Sequence, residues 1–124
     1  MEENNELKVI TKAMEMVKHG YTLSSNSNRF PKKYRFSLVD RIQLKSMDIY
    51  EKLLEANRID VIKEKAERSK LQTDVITCCD QLLFYIELSK ELDILSWGST
   101  EYWSGLVRDI KYMTIAWRKR DRNR

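Results

Sequence analysis

Apolar residues recur at spacings of three and four along nearly all of this chain, the period of a helix that buries one face. Over residues 3–21 the pattern predicts a first helix whose seam is Leu7, Ile10, Met14, Val17 and Tyr21, with Gly20 close to its C-terminal cap. The next stretch, TLSSNSN (22–28), is rich in residues that favour turns and fit poorly inside a helix, so it reads as a connector. A second helix is predicted over 31–57, entered through Phe30 and with Pro31 in its first turn, where a missing N–H costs nothing. Its stripe is Leu38, Ile42, Ile49, Leu53 and Ala56, widened by Tyr50 and Leu54. Such a helix cannot bury that stripe alone, and the remaining segments are its expected partners.

Asp60 is placed to cap a third helix over 61–92, and so short a join makes helices two and three antiparallel neighbours. The first half of this helix offers only Ile62, Ala66 and Leu71 for burial and is expected to be exposed or to face a partner. Its second half is dense, with Val75, Ile76, Cys79, Leu82, Leu83 and Ile86. Gly98 interrupts the pattern, and Ser99 or Thr100 can cap a fourth helix over 100–119. There Trp103, Leu106, Ile110, Met113 and Trp117 form the cleanest seam of the chain, broadened by Val107 and Thr114. Its tryptophans read as packing anchors rather than base-stacking platforms. Residues 118–124 (RKRDRNR) are expected to fray into a basic tail.

The predicted fold is therefore all-α, an antiparallel up-down four-helix bundle formed as one domain by residues 1–124. Composition agrees, because three glycines and one proline are too few for the turns of an all-β chain. No apolar run approaches the roughly 18 residues of a membrane span, and the acidic start MEENNELK is unlike a secretory signal. Cys78 and Cys79 are adjacent and cannot form an ordinary structural disulfide with each other, so reduced thiols and a cytoplasmic location are expected.

Charge changes this picture of a plain bundle. The net charge is +4, but residues 29–45 carry six Lys/Arg against Asp40 alone, and residues 118–124 carry five against Asp121. Two basic patches on a mildly acidic body suggest an anionic partner, and solvated helix ends are the plainer alternative. Catalytic chemistry finds little support. His19 is the only histidine and has no metal-ligating companion, so it reads as a surface or capping residue. The cysteines read as small buried apolar residues. Glu64/Glu67 and Glu87/Glu91 fall on polar helix faces, and the Glu-x-x-His motifs of a di-iron bundle are absent. The expectation is a protein that is not an enzyme and holds no cofactor or metal.

The run from Phe30 to Asn57 resembles two groups of small four-helix-bundle proteins. One is the accessory variability determinant proteins of diversity-generating retroelements, and the other is the proteins encoded by intervening sequences within bacterial 23S ribosomal RNA genes. The resemblance rests on Phe30-Pro31-Lys32, Arg35-Phe36, Arg41-Ile42 and Glu55-Ala56-Asn57, and on Ala116-Trp117-Arg118 in the fourth helix. Val39 stands where these proteins often have glycine. The resemblance implies a ring-like homopentamer with a basic surface. For the retroelement group it also implies association with a reverse transcriptase and its template RNA or cDNA in mutagenic retrohoming. The intervening-sequence group implies an oligomeric scaffold without an assigned role. For the nucleic-acid role, the two basic patches give Arg29, Lys32, Lys33, Arg35, Arg41, Arg118, Lys119 and Arg120 as the expected phosphate contacts.

Overall fold

The computed structural model describes residues 2–124, with side chains from Glu6 onward. Four α-helices run α1 (Glu2–Ser25), α2 (Asp40–Arg58), α3 (Lys65–Glu91) and α4 (Trp97–Arg122), and no strand occurs among the described residues. Each packs on the next and α1 closes against α4, which is the square arrangement of an up-down bundle. The core runs its full length, from Val9, Leu53, Val75 and Trp117 to Met16, Phe30, Ile86 and Trp103.

The first helix differs from its expected form in length and in register. It continues through Ser25, because the Ser24 hydroxyl donates to the Gly20 carbonyl and accepts from Gln43 Nε2, so the serine is satisfied inside the helix. Val9, Ala13, Met16, Gly20 and Ser24 face the core, while Leu7, Met14 and Tyr21 of the predicted seam lie outside, each about half exposed. Gly20 is therefore no cap. A Cβ there would stand 3.0 Å from the Trp103 ring, so its bare backbone lets the indole come close.

Regular α2 begins at Asp40 rather than at residue 31. Pro31 sits before the helical turns with extended ψ, followed by a 3₁₀ turn (Lys32–Tyr34) and a π-helical turn (Arg35–Val39) closed by Asp40 N–H donating to the Arg35 carbonyl. Leu38 and Val39, at the end of the wider turn, are both buried.

Asp60 accepts from the N–H groups of Ile62 and Lys63, and these bonds hold its carboxyl below the usual range. The turn it caps precedes α3, which starts at Lys65. Ala66 and Ile62 are exposed, while Arg68 and Gln72 are buried in their place. At its other end α3 turns on Asp93, with φ 61°. Ile94 N–H reaches the Ser89 carbonyl and Asp93 N–H the Lys90 carbonyl, the two bonds of a Schellman cap.

Ser96, not Ser99 or Thr100, caps α4, its hydroxyl accepting from Ser99 N–H at 3.1 Å. Gly98 lies inside the first turn. The basic tail does not fray: α4 continues to Arg122 and Asp121 is only 3% exposed. No helix is long and apolar enough to cross a membrane.

Candidate nucleic-acid interface

The predicted phosphate contacts divide between the two ends of the bundle. Arg29, Lys32, Lys33 and Arg35 sit where α1 ends and α2 begins, beside the start of α4, since Arg29 Nη2 donates to Ser99 Oγ at 3.3 Å. Arg118, Lys119 and Arg120 lie near the other end of α4, about 28 Å away along its axis at the rise of an α-helix. One continuous basic surface is not formed within a protomer. Arg41 is the second residue of α2, on the side facing α3, where its Nη1 donates to the Tyr85 hydroxyl at 3.4 Å.

The first group is held by short-range geometry. Asn28 N–H donates to the Asn26 side chain, and the Arg29 and Phe30 N–H groups to the Asn26 carbonyl, so the connector is a compact turn. Phe30 is 2% exposed and stands edge-on to Trp103, with centroids 6.3 Å apart, which anchors that turn in the core. Lys32, Lys33 and Arg35 then project from the tight and wide turns into solvent. Lys33 Nζ lies 5.2 Å from the Tyr34 ring centroid, a contact that restrains it without neutralising it.

Lys32 and Arg35 share a recess of about 290 Å³ with Ser24, Ser25, Ser27 and Gln43. Its one carboxylate is Asp40. Gln43 Nε2 donates to both Ser24 and Ser25, which fixes the polar wall opposite the two cations. Sequence reading assigned these serines to a connector and overlooked Gln43. The serine-rich SSNS run beside a basic turn was the available signal. Arg29 faces a different cleft, with His19 and Tyr102. His19 packs edge-on against Tyr102 and Trp103, so it is part of the α1–α4 contact rather than a surface cap, and burial pushes its imidazole below the ordinary range.

Some cations of the body are held in ion pairs, while others, such as Lys18, Lys52 and Arg58, have no carboxylate partner among the described residues. Lys12 pairs with Asp109, Lys70 with Asp74, Lys90 with Glu87, Arg108 with Glu101 and Lys111 with Asp80. Among the described residues Arg29, Lys32, Lys33, Arg35 and Arg41 have no carboxylate partner. The second group is less open. Arg118 and Arg120 are half-buried, and Arg118 donates to Thr73 Oγ1 at 3.0 Å, leaving Lys119 as its fully exposed member.

No cluster of three metal-ligating residues exists among the described residues. Burial raises both thiols, Cys79 to about 12, so neither is a ready nucleophile at neutral pH. Glu64, Glu67, Glu87 and Glu91 are all exposed.

No family model and no curated protein matches the chain. Among solved structures it is similar to a protein of unknown function from the S23 ribosomal protein family of Bacteroides thetaiotaomicron. The TM-score is 0.81 at 14% identity, covering 93% of this chain and 98% of that one. At this identity the likeness is one of fold.

Proposed function

We propose that this protein is a non-enzymatic, oligomeric nucleic-acid-binding subunit that serves a reverse transcriptase, as an accessory of a diversity-generating retroelement. The observation that carries the nucleic-acid part is the clustering of Arg29, Lys32, Lys33 and Arg35 at the α1–α2 join, all exposed and without a carboxylate partner among the described residues. Leaving such charges unneutralised at one end favours a polyanion by Coulomb attraction and counterion release, without regard to sequence. The reverse transcriptase and the template RNA or cDNA come from the resemblance of the Phe30–Asn57 run.

Oligomer formation is supported by the exposed stripe of α1. Leu7, Met14 and Tyr21 recur every seventh residue and are about half exposed, while Ile10 and Val17 between them are partly buried against the core, so the row of three is the apolar surface left for another copy. The homopentamer is part of the proposal on the resemblance alone.

A second reading, an intervening-sequence-type scaffold, is favoured by the S23 family membership of the structural neighbour. The genes beside this one separate the two: a reverse transcriptase with a repeat pair favours the first, and a ribosomal RNA gene the second.

The test is RNA affinity of the purified protein at two salt concentrations. The expected result is binding that weakens steeply with salt, the log of the association constant falling by about 0.7 per log unit of salt for each phosphate neutralised on a single strand. Replacing Lys32, Lys33 and Arg35 with Glu is expected to abolish binding at unchanged helicity. Absence of binding even at low salt overturns the proposal.

A further inference from the structure

We infer that the groove between α2 and α3 is a base-stacking site for single-stranded nucleic acid, with Phe84 as its platform and Arg41 and Lys45 as its phosphate contacts. This deepens the nucleic-acid reading above and rests on it. The groove holds about 420 Å³ and is lined by Arg41, Lys45, Gln81, Phe84 and Tyr85, with Thr77 and Asp80 at its edge.

Phe84 does nothing for the core. It is 59% exposed on the outer face of α3, beyond the buried line of Val75, Cys79, Leu82 and Ile86. The ring is nevertheless held in place. It stands in a T-shaped contact with Tyr85, with centroids 5.3 Å apart, and the Tyr85 hydroxyl accepts from Arg41 across the helix gap. An exposed aromatic ring is thereby positioned beside a guanidinium, the pairing by which proteins stack unpaired bases while following the backbone.

The charges of the groove fit an anionic strand. Arg41 and Lys45 lack carboxylate partners among the described residues, and the one carboxylate lining the groove, Asp80, is bonded to Lys111 of α4 at 2.7 Å. That bond also raises Lys111 above its ordinary range, so Asp80 stays compensated. Arg41 and Lys45 stand one turn apart on the same face of α2, about 6 Å along its axis. Bases of a duplex are stacked on each other and cannot reach Phe84, so this site selects single strands.

The experiment compares a labelled 12-nucleotide RNA, single-stranded and annealed to its complement, against the wild type, Phe84→Ala and Phe84→Trp, with oligomer size measured alongside. Phe84→Ala is expected to weaken single-strand binding roughly ten-fold or more and to leave duplex binding unchanged, while Phe84→Trp retains both. If wild type binds with steep salt dependence and Phe84→Ala binds the single strand equally well, the stacking site falls and the general nucleic-acid reading stands. Equal loss for single strand and duplex, or a change in oligomer size, also overturns the stacking site. Failure of wild type to bind either RNA removes both.

Discussion

Arg68 and Asp121, 53 positions apart in the chain, meet inside the bundle as a two-point pair, with Arg68 Nε 2.7 Å and Nη2 3.2 Å from the two carboxylate oxygens. The guanidinium is otherwise satisfied by the Ile59 carbonyl and Glu6, and it lies 4.8 Å from the Trp117 ring centroid. Gln72 Nε2 donates to the same carboxylate at 2.7 Å. The network ties the end of α4 to α1 and α3, which is why the predicted frayed tail is helical.

Removing one partner strands the other in the core. Asp121→Ala is expected to cost about 3 kcal/mol in urea unfolding, because Arg68 stays buried with only Glu6 to offset its charge and Gln72 loses its acceptor. The double replacement Arg68→Met with Asp121→Leu is expected to recover most of that loss. A single substitution costing well under 1 kcal/mol would show that water reaches the pair.

Two glycines predict opposite responses to alanine. A Cβ at Gly105 meets nothing within 4 Å, so Gly105→Ala is expected to stabilise α4 by roughly 0.5–1 kcal/mol through helix propensity. At Gly20 the same methyl stands 3.0 Å from Trp103, which is fully buried between Phe30 and His19 and has nowhere to move. Gly20→Ala is expected to destabilise by about 1–2 kcal/mol despite the better helix former. Thermal unfolding of the pair is the check.

Asp93 occupies the left-handed position of the α3 cap, a place where glycine carries no Cβ penalty. Asp93→Gly is expected to stabilise the fold by about 0.5–1 kcal/mol, read as a raised Tm. A lowered Tm would mean that the Asp93 side chain makes a stabilising contact at this turn.

Helix periodicity made the four helices and the second and fourth seams readable from sequence, since Ile42, Ile49, Leu53, Trp103, Ile110 and Trp117 are all fully or almost fully buried. It failed in α1 because that helix carries two apolar stripes. Leu7, Met14 and Tyr21 of the richer one are exposed and its Ile10 and Val17 lie half-buried at the core's edge, while the buried line relies on Ala13, Gly20 and Ser24, whose small size matters more than their hydropathy. Arg68 and Gln72 were unreadable for another reason: their burial depends on Asp121 at the far end of the chain, and no local pattern announces a partner so distant. The π-turn was hidden likewise, because Pro31 signals a helix start while α2 becomes regular only at Asp40. For the site, clustered charge located the cations but not their division between opposite ends. Phe84 passed unnoticed because it falls off the stripe of Val75, Cys79, Leu82 and Ile86, and a single apolar residue off a stripe gives no signal of its own.

The adjacent cysteines predict a slow thiol reaction. With the Cys79 thiol pushed up to about 12 by burial, its thiolate fraction at pH 8 is on the order of 10⁻⁴. Alkylation of the native protein at that pH is expected to be slow at both thiols, and unfolding in guanidinium is expected to release both. Rapid native labelling of Cys79 would mean that α3 opens locally.

The α1 stripe gives the test of assembly. Leu7 is 58%, Met14 51% and Tyr21 49% exposed, and all three lie outside the buried line of Val9, Ala13 and Met16. Charges placed there do not enter the protomer core, so Leu7→Lys with Met14→Lys is expected to preserve helicity and the unfolding midpoint of the isolated bundle. The same pair sets two cations on that apolar row, where a neighbouring copy would have to bury them. Sedimentation is therefore expected to shift from an oligomer to the 14.9 kDa protomer. An unchanged oligomer in the double variant would place the contact on another face, and Phe36, 84% exposed at the start of α2, would be the next position to substitute.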